Sequence, residues 1–275
     1  MSQELLTIGQ MARRTGVSVP TLRAWEDRYG FPRPVRLGSG HRRFTETDCD
    51  VVGAVVRLRG GGLSLEAAIA RATADAERPP TSLFASLRAR RPELAPWLVR
   101  KRALVGISRA IEDECLARGE RGVLLGGFQE ERHYRDSEPR WRELSRVAAA
   151  ALALADFELV AEPEAGPVEI PLQPASPLHR EWALVWDGPG FGACLVAWER
   201  LGHGGPDGAR PFEALWSVEP EVVRTAALVL LGAAAAAAPE AAAGARALLS
   251  EPRSSDAATA RAATALTNRI VSYVA

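Results

Sequence analysis

The sequence predicts a mainly α fold with an α/β part: a short helical N-terminal domain carrying a β-hairpin, a mixed α/β domain, and Ala-rich C-terminal helices. Three observations carry this. Apolar residues recur at helical spacing through the first 75 or so positions. From Thr81 onward, short apolar runs bounded by glycine, such as 122–128, alternate with helical stretches. Beyond Ala226 alanine dominates. A chain of 275 residues is long enough for more than one core. Proline breaks at 79–80 and at 239 place expected boundaries at 1–78, 81–238 and 239–275.

Ile8, Met11 and Ala12 lie at i, i+3, i+4 behind Thr7, a capping residue, and predict a first short helix. Thr15, Gly16 and Val17 form a tight turn. Ser18 caps the next helix, with Pro20 in its first turn. Leu22, Trp25 and Tyr29 give that helix one apolar side, so they read as core. Two short helices joined by a glycine-containing turn make a helix-turn-helix, whose second helix enters the DNA major groove. Thr21 and Arg23 then face the bases, with Arg13 and Ser18 beside them. Two extended arms around a Gly-Ser-Gly tip at 38–40 predict a hairpin wing, with Arg36, Ser39, His41, Arg42 and Arg43 suited to phosphate and minor-groove contact. Helices from Thr45 and Ser64 complete the domain.

The net charge is zero, but its distribution is not even. Residues 1–60 hold ten Arg and six acidic groups, a balance of +4, whereas residues 148–275 hold eight Arg and fifteen acidic groups, a balance of −7. The positive excess therefore coincides with the predicted DNA-binding motif. Cys49, Cys115 and Cys194 are far apart and in no metal-ligand spacing, so neither a disulfide framework nor a metal site is expected. With no run resembling a signal peptide or a membrane span, the expected location is cytoplasmic, with no membrane partner.

The segments Thr7–Ala12, Thr15–Val19, Thr21–Glu26 and Ser39–Phe44 resemble, in order, the motifs of the MerR family of winged-helix transcription regulators. The run Leu22–Gly30 is similar to the branch that includes cobalamin-dependent light-responsive regulators. That resemblance implies operator binding as a dimer, with distortion of the duplex at a promoter. Cobalamin itself is not expected, because the Asp-x-His-x-x-Gly motif of that branch is absent, and no other cofactor motif is present. The family's long dimerising helix has no heptad counterpart here. A homodimer is still expected, since one short recognition helix buries little surface.

In the second domain, helices are expected around Leu83, over Leu104–Cys115, over Glu138–Leu154, and over Glu219–Ala238. Strands are expected at 122–128 and Phe157–Val160, at Trp182–Asp187 and Phe191–Trp198 around an Asp-Gly-Pro-Gly turn, and at Phe212–Trp216. A last helix is expected over Asp256–Tyr273. The residues Arg100–Leu104, Ser108–Cys115, Phe128–Tyr134, Glu138–Leu144, Asp187–Cys194 and Trp216–Val223 resemble the DICT domain, a sensory module of bacterial regulators. The resemblance implies a sensor without implying its ligand.

The polar residues Arg109, Glu112, Glu131 and His133, with Trp186 and Trp216, form the candidate ligand set. A general acid–base role is not expected of them: Glu112 and Glu114 point apart on a helix, and no nucleophile–base set accompanies them. The sequence thus predicts a non-enzymatic regulator. Its expected partners are double-stranded DNA, RNA polymerase at the promoter, and a small-molecule or protein signal. The alternative is a DNA-bound adaptor whose C-terminal domain docks a partner protein.

Overall fold

In a computed structural model, the described residues are 5–36, 42–77, 82–202, 204–249 and 256–274. The chain divides into two compact units, Met1–Pro79 and Pro80–Ala275.

The first unit contains helices α1 (Ile8–Thr15), α2 (Val19–Tyr29), α3 (Glu46–Gly60) and α4 (Leu65–Glu77), with a two-stranded sheet of β1 (Val35–Arg36) and β2 (Arg42–Arg43). Each start follows from a local side chain. Thr7 and Gln10 form a reciprocal capping box on α1, Ser18 accepts from the Thr21 N–H at 3.2 Å, and Thr45 with Asp48 caps α3. Gly16 closes α1 at φ 70°, a left-handed geometry that glycine adopts without steric cost. Met11, Leu22, Trp25, Phe44, Val52 and Val55 are buried together, and Leu6 pairs with Phe44 to hold the return arm of the hairpin against the core. Tyr29 packs against this cluster, in line with its reading as core.

The second unit is a three-layer α/β/α sandwich. Its strands are β3 (Trp97–Arg100), β4 (Val123–Gly127), β5 (Ala150–Ala155), β6 (Val168–Pro171), β7 (Glu181–Asp187), β8 (Gly192–Glu199) and β9 (Pro211–Ser217). They lie in the order β3-β9-β8-β7-β4-β5-β6, parallel from β4 to β6 and antiparallel elsewhere. Alternate side chains feed two cores. Val123, Leu125, Ala183 and Val185 face one side, with helices α5 (Leu83–Arg90), α8 (Pro220–Ala234) and α9 (Pro239–Ala247). Leu124, Leu184, Trp186 and Leu195 face the other, with α6 (Lys101–Arg118), α7 (Glu131–Val147) and α10 (Asp256–Val274).

Several expectations change here. The helix expected to run to Leu154 ends at Val147, and Ala150–Ala155 is a parallel strand next to the edge of the sheet. Its Ala/Leu alternation suits a strand buried on both faces as well as a helix. Phe157–Val160, expected as a strand, is irregular. The described parts of the segment read as a separate tail, 239–275, pack into the sandwich: Ala242 and Ala245 join one core, and Ala262, Leu266 and Ile270 cover α6 in the other. Among the described residues no helix is long and apolar enough to cross a membrane.

Candidate functional site

The candidate interface of the first unit is built on α2. Burial of Leu22 and Trp25 turns Arg23 and Ala24 to the surface, two and three residues beyond Thr21. Arg13 on α1 and Ser18 at the α2 cap are also exposed. The Ser18 and Thr21 hydroxyls lie 2.7 Å apart, so the cap and the candidate reader are one hydrogen-bonded pair. In the hairpin, Arg36 stands opposite Arg42 and Val35 opposite Arg43. Arg42 is exposed, and its Nε lies 3.3 Å from Glu26 Oε1, an ion pair that ties the hairpin to α2. Arg43 Nη1 donates to the Arg42 carbonyl at 3.1 Å. Ser39, His41 and the side chain of Arg36 lie outside the described residues. Sequence reading gave Glu26 no role; its place one turn after Leu22 was the available signal.

The second unit holds a cavity of about 480 Å³ between α6 and α7, floored by β4 and β7. Lys101, Val105, Ser108, Arg109 and Glu112 line it from α6 at one helical face, and His133, Asp136, Ser137 and Arg140 from α7. Gly127, Phe128 and Gln129 close it at the carboxyl end of β4, where the sheet passes from parallel to antiparallel pairing. Such crevices beyond strand carboxyl ends are where open α/β sheets bind ligands. Trp141 and Trp182 contribute aromatic wall, and the Trp182 indole N–H donates to Ser108 Oγ at 3.0 Å. Phe128 stands edge-on to Trp141, with ring centroids 5.2 Å apart.

The two ends of this cleft differ chemically. At one end Lys101 Nζ lies 2.5 Å from Asp207, and His133 faces the same space. Burial, reinforced by the Lys101 cation, holds the His133 pKa below the usual imidazole value. At the other end Glu112 is buried, accepting from Arg140 Nε at 3.4 Å, and Arg140 also pairs with Asp113. Desolvation pushes the Glu112 carboxyl above the usual carboxylate range, against the opposing pull of Arg140. Asp113 in turn accepts from the Tyr273 hydroxyl on α10.

Of the candidate ligand set, Arg109, Glu112 and His133 meet at this cleft, and three residues do not. Glu131 pairs with Arg135 at 2.8 Å, and its backbone N–H donates to Asp156. Trp186 is fully buried and so close to Gly122 and Gly188 that a Cβ on either would fall 2.6 Å from its indole. Trp216, on β9, packs partly buried in the core, two strands away from β7. Trp186 and Trp216 are therefore packing residues, and Glu131 is part of a surface ion cluster. Lys101, Ser108, Arg140, Trp141 and Trp182 take their place. The spacing 101, 105, 108 and 112 on one helical face was the signal for the α6 members.

A helix-turn-helix with a β-hairpin wing, joined in one chain to an α/β/α domain with a cleft, defines a class of protein with a nucleic-acid-reading head and a second, separately built domain. The comparisons with known proteins make this specific. Residues 6–74 match the MerR HTH family of regulatory proteins, and residues 81–200 match DICT, described as a sensory domain in diguanylate cyclases and two-component systems. The first unit is thus a MerR-type helix-turn-helix domain and the second contains a DICT domain. The DICT match stops after β8, so β9, α8, α9 and α10 lie beyond it. Among curated relatives, the HTH-type transcriptional repressor CarA of Myxococcus xanthus is 44% identical over 75 residues, covering 26% of each chain. The HTH-type transcriptional regulator MlrA of Salmonella typhimurium is 33% identical over 76 residues, 28% of this chain and 31% of that protein. The HTH-type transcriptional repressor CarH of Myxococcus xanthus is 35% identical over 68 residues, 25% of this chain and 23% of that protein. The chain spans a third or less of the length of these relatives.

Proposed function

We infer that this chain is a DNA-binding transcription regulator whose α/β domain receives the signal. The observation that carries the reading is the surface of α2. Arg23 is exposed there beside the hydrogen-bonded Ser18–Thr21 pair, opposite buried Leu22 and Trp25, with a wing arginine tethered through Glu26. This is the arrangement by which a helix-turn-helix presents side chains to base edges while a basic arm holds the backbone. The relatives over this stretch are described as transcriptional repressors and regulators. The protein acts as a homodimer on two half-sites near a promoter served by RNA polymerase, and occupancy of the α6–α7 cleft changes its affinity for DNA.

The test is binding to an operator selected from genomic fragments, followed over a range of salt. Arg42→Ala with Arg43→Ala weakens binding to all sequences and reduces the salt slope by about one unit for each phosphate no longer neutralised. Arg23→Ala weakens operator binding more than non-specific binding, by about 1–3 kcal/mol if it reads a guanine. Equal losses on both kinds of DNA would return Arg23 to a backbone-binding role.

A second reading, an adaptor that docks a protein, is favoured by the edge strand β3. Trp97 is 70% and Leu98 64% exposed on it, a surface that could accept a partner strand. A DNA affinity that responds to a partner protein and to no small molecule would select this reading.

A further inference from the structure

The chemistry of the cleft limits what it can hold, given its reading as the receiving site. The helices α6 and α7 flank β4 in the chain and both run antiparallel to it, so both begin at its carboxyl end. Two helix N-termini therefore point the same way, toward the end where Lys101 and His133 stand. Neither N-cap side chain, Arg100 on α6 nor Glu130 on α7, caps its helix; the first N–H of α6 donates to the Arg210 carbonyl and that of α7 to Asp156. The Asp207 carboxylate that accompanies Lys101 is 63% exposed, so that pair is solvent-screened and can be replaced by a ligand anion.

The opposite end is mixed in charge, with Arg109, Arg140 and an enclosed Glu112. Glu112 lies nine-tenths buried with one long hydrogen bond from Arg140, and its remaining exposure is to the cleft it lines. A carboxyl so placed is completed by a ligand N–H donor. Between the two ends lie Phe128, Trp141 and Trp182, which offer flat apolar surface. His133 and Arg140 are seven residues apart on α7, about 10 Å along the axis. The volume of about 480 Å³ suits one small molecule.

We propose that the cleft binds a planar heteroaromatic molecule bearing N–H donors at one end, directed to Glu112, and an acidic group at the other, directed to Lys101 and His133. The acidic group is a carboxylate or a phosphate; both satisfy a lysine beside an imidazole.

The experiment is calorimetric titration of the full-length protein with four probes. Pterin-6-carboxylate carries both ends, with a carboxylate as the acid. Guanosine 5′-monophosphate carries both, with a phosphate. 6-Methylpterin lacks the acid, and naphthalene-2-carboxylate lacks the N–H donors. At least one of the first two saturates, and their ratio tells carboxylate from phosphate. Removing either end weakens binding tenfold or more. Glu112→Gln weakens the pterins together, whereas Lys101→Ala weakens only the acid-bearing probes; a retained cooperative thermal transition certifies that each variant is folded. Equal affinity of pterin-6-carboxylate and 6-methylpterin, or of pterin-6-carboxylate and naphthalene-2-carboxylate, overturns the proposal. So does the absence of binding by all four at millimolar concentration. DNA affinity measured with and without a bound probe separates the two readings. A probe that binds as expected but leaves DNA affinity unchanged sinks the receiving role and leaves the ligand chemistry standing. Specific DNA binding with no probe bound does the reverse.

Discussion

The two units use the same residue types to opposite ends. In the first, the candidate contact groups come from one stretch, 13–43, and the described ones lie at the surface, positioned by a cap and one ion pair. In the second, they come from α6, β4, α7 and β7, spread over 101–184, and are partly enclosed. Arg23 is an exposed cation; Arg140 is held between Asp113 and Glu112. A polyanion such as DNA is met in water, where an exposed guanidinium on a rigid helix suffices. A small ligand must be desolvated, and the protein groups that meet it are desolvated too. Burial shifts the pKa values of Glu112 and His133 away from the charged forms. Burial, more than residue type, decides the chemistry of each surface.

The sharpest way to break this comparison is to unfold one unit alone. Leu22→Ala empties a fully buried position in a core formed within a 79-residue unit, at a cost of about 2–5 kcal/mol. The first unit should lose its calorimetric transition and its DNA binding, while the second keeps its own. A single shared transition, displaced as a whole, would mean that the units do not unfold independently. A smaller effect is expected from Gly126→Ala in the second unit. The added Cβ would crowd the Trp141 ring and lie 2.9 Å from Phe128, so both aromatic walls of the cleft must shift. Overpacking of this kind costs about 1–3 kcal/mol. The second transition should fall, with operator affinity in the absence of ligand retained.

The smallest effect is a change of slope. Because Glu112 is raised in the folded state, folding retains a proton there that the unfolded chain releases in the ordinary carboxylate range. That contribution to stability is complete below the unfolded pKa and is lost as pH rises through the folded one. Glu112→Gln should therefore flatten the fall in melting temperature over this window. An identical pH profile would mean that Glu112 titrates normally.

The first unit was largely legible because its signals are local. Thr7, Gly16, Ser18 and Thr45 sit within a few residues of the helix ends they fix, and the Leu22–Trp25 spacing sets which side of α2 is free. In the second unit, strands β7, β8 and β9 were readable from apolar runs around the Asp-Gly-Pro-Gly turn, whose Gly188 N–H bonds to the Phe191 carbonyl. The short strands β3 and β6 were not, since four residues carry little periodicity. The cleft was half legible. Glu112 and His133 stood out as members of a polar cluster, but which tryptophans face them depends on strand order. Trp182 and Trp186 point to the same side of β7, yet only Trp182 reaches the opening. Arg140 becomes visible only when α7 is laid beside α6.

The packing of α10 on α6 also orders events in time. The core that builds the helix-turn-helix lies within the first 79 residues, so that head can close while later residues are still being synthesised. The sandwich cannot. Its α6 core waits for Leu266 and Ile270, and the Asp113 carboxylate beside the cleft waits for Tyr273. During translation a head able to fold is therefore made well before the domain proposed to govern it.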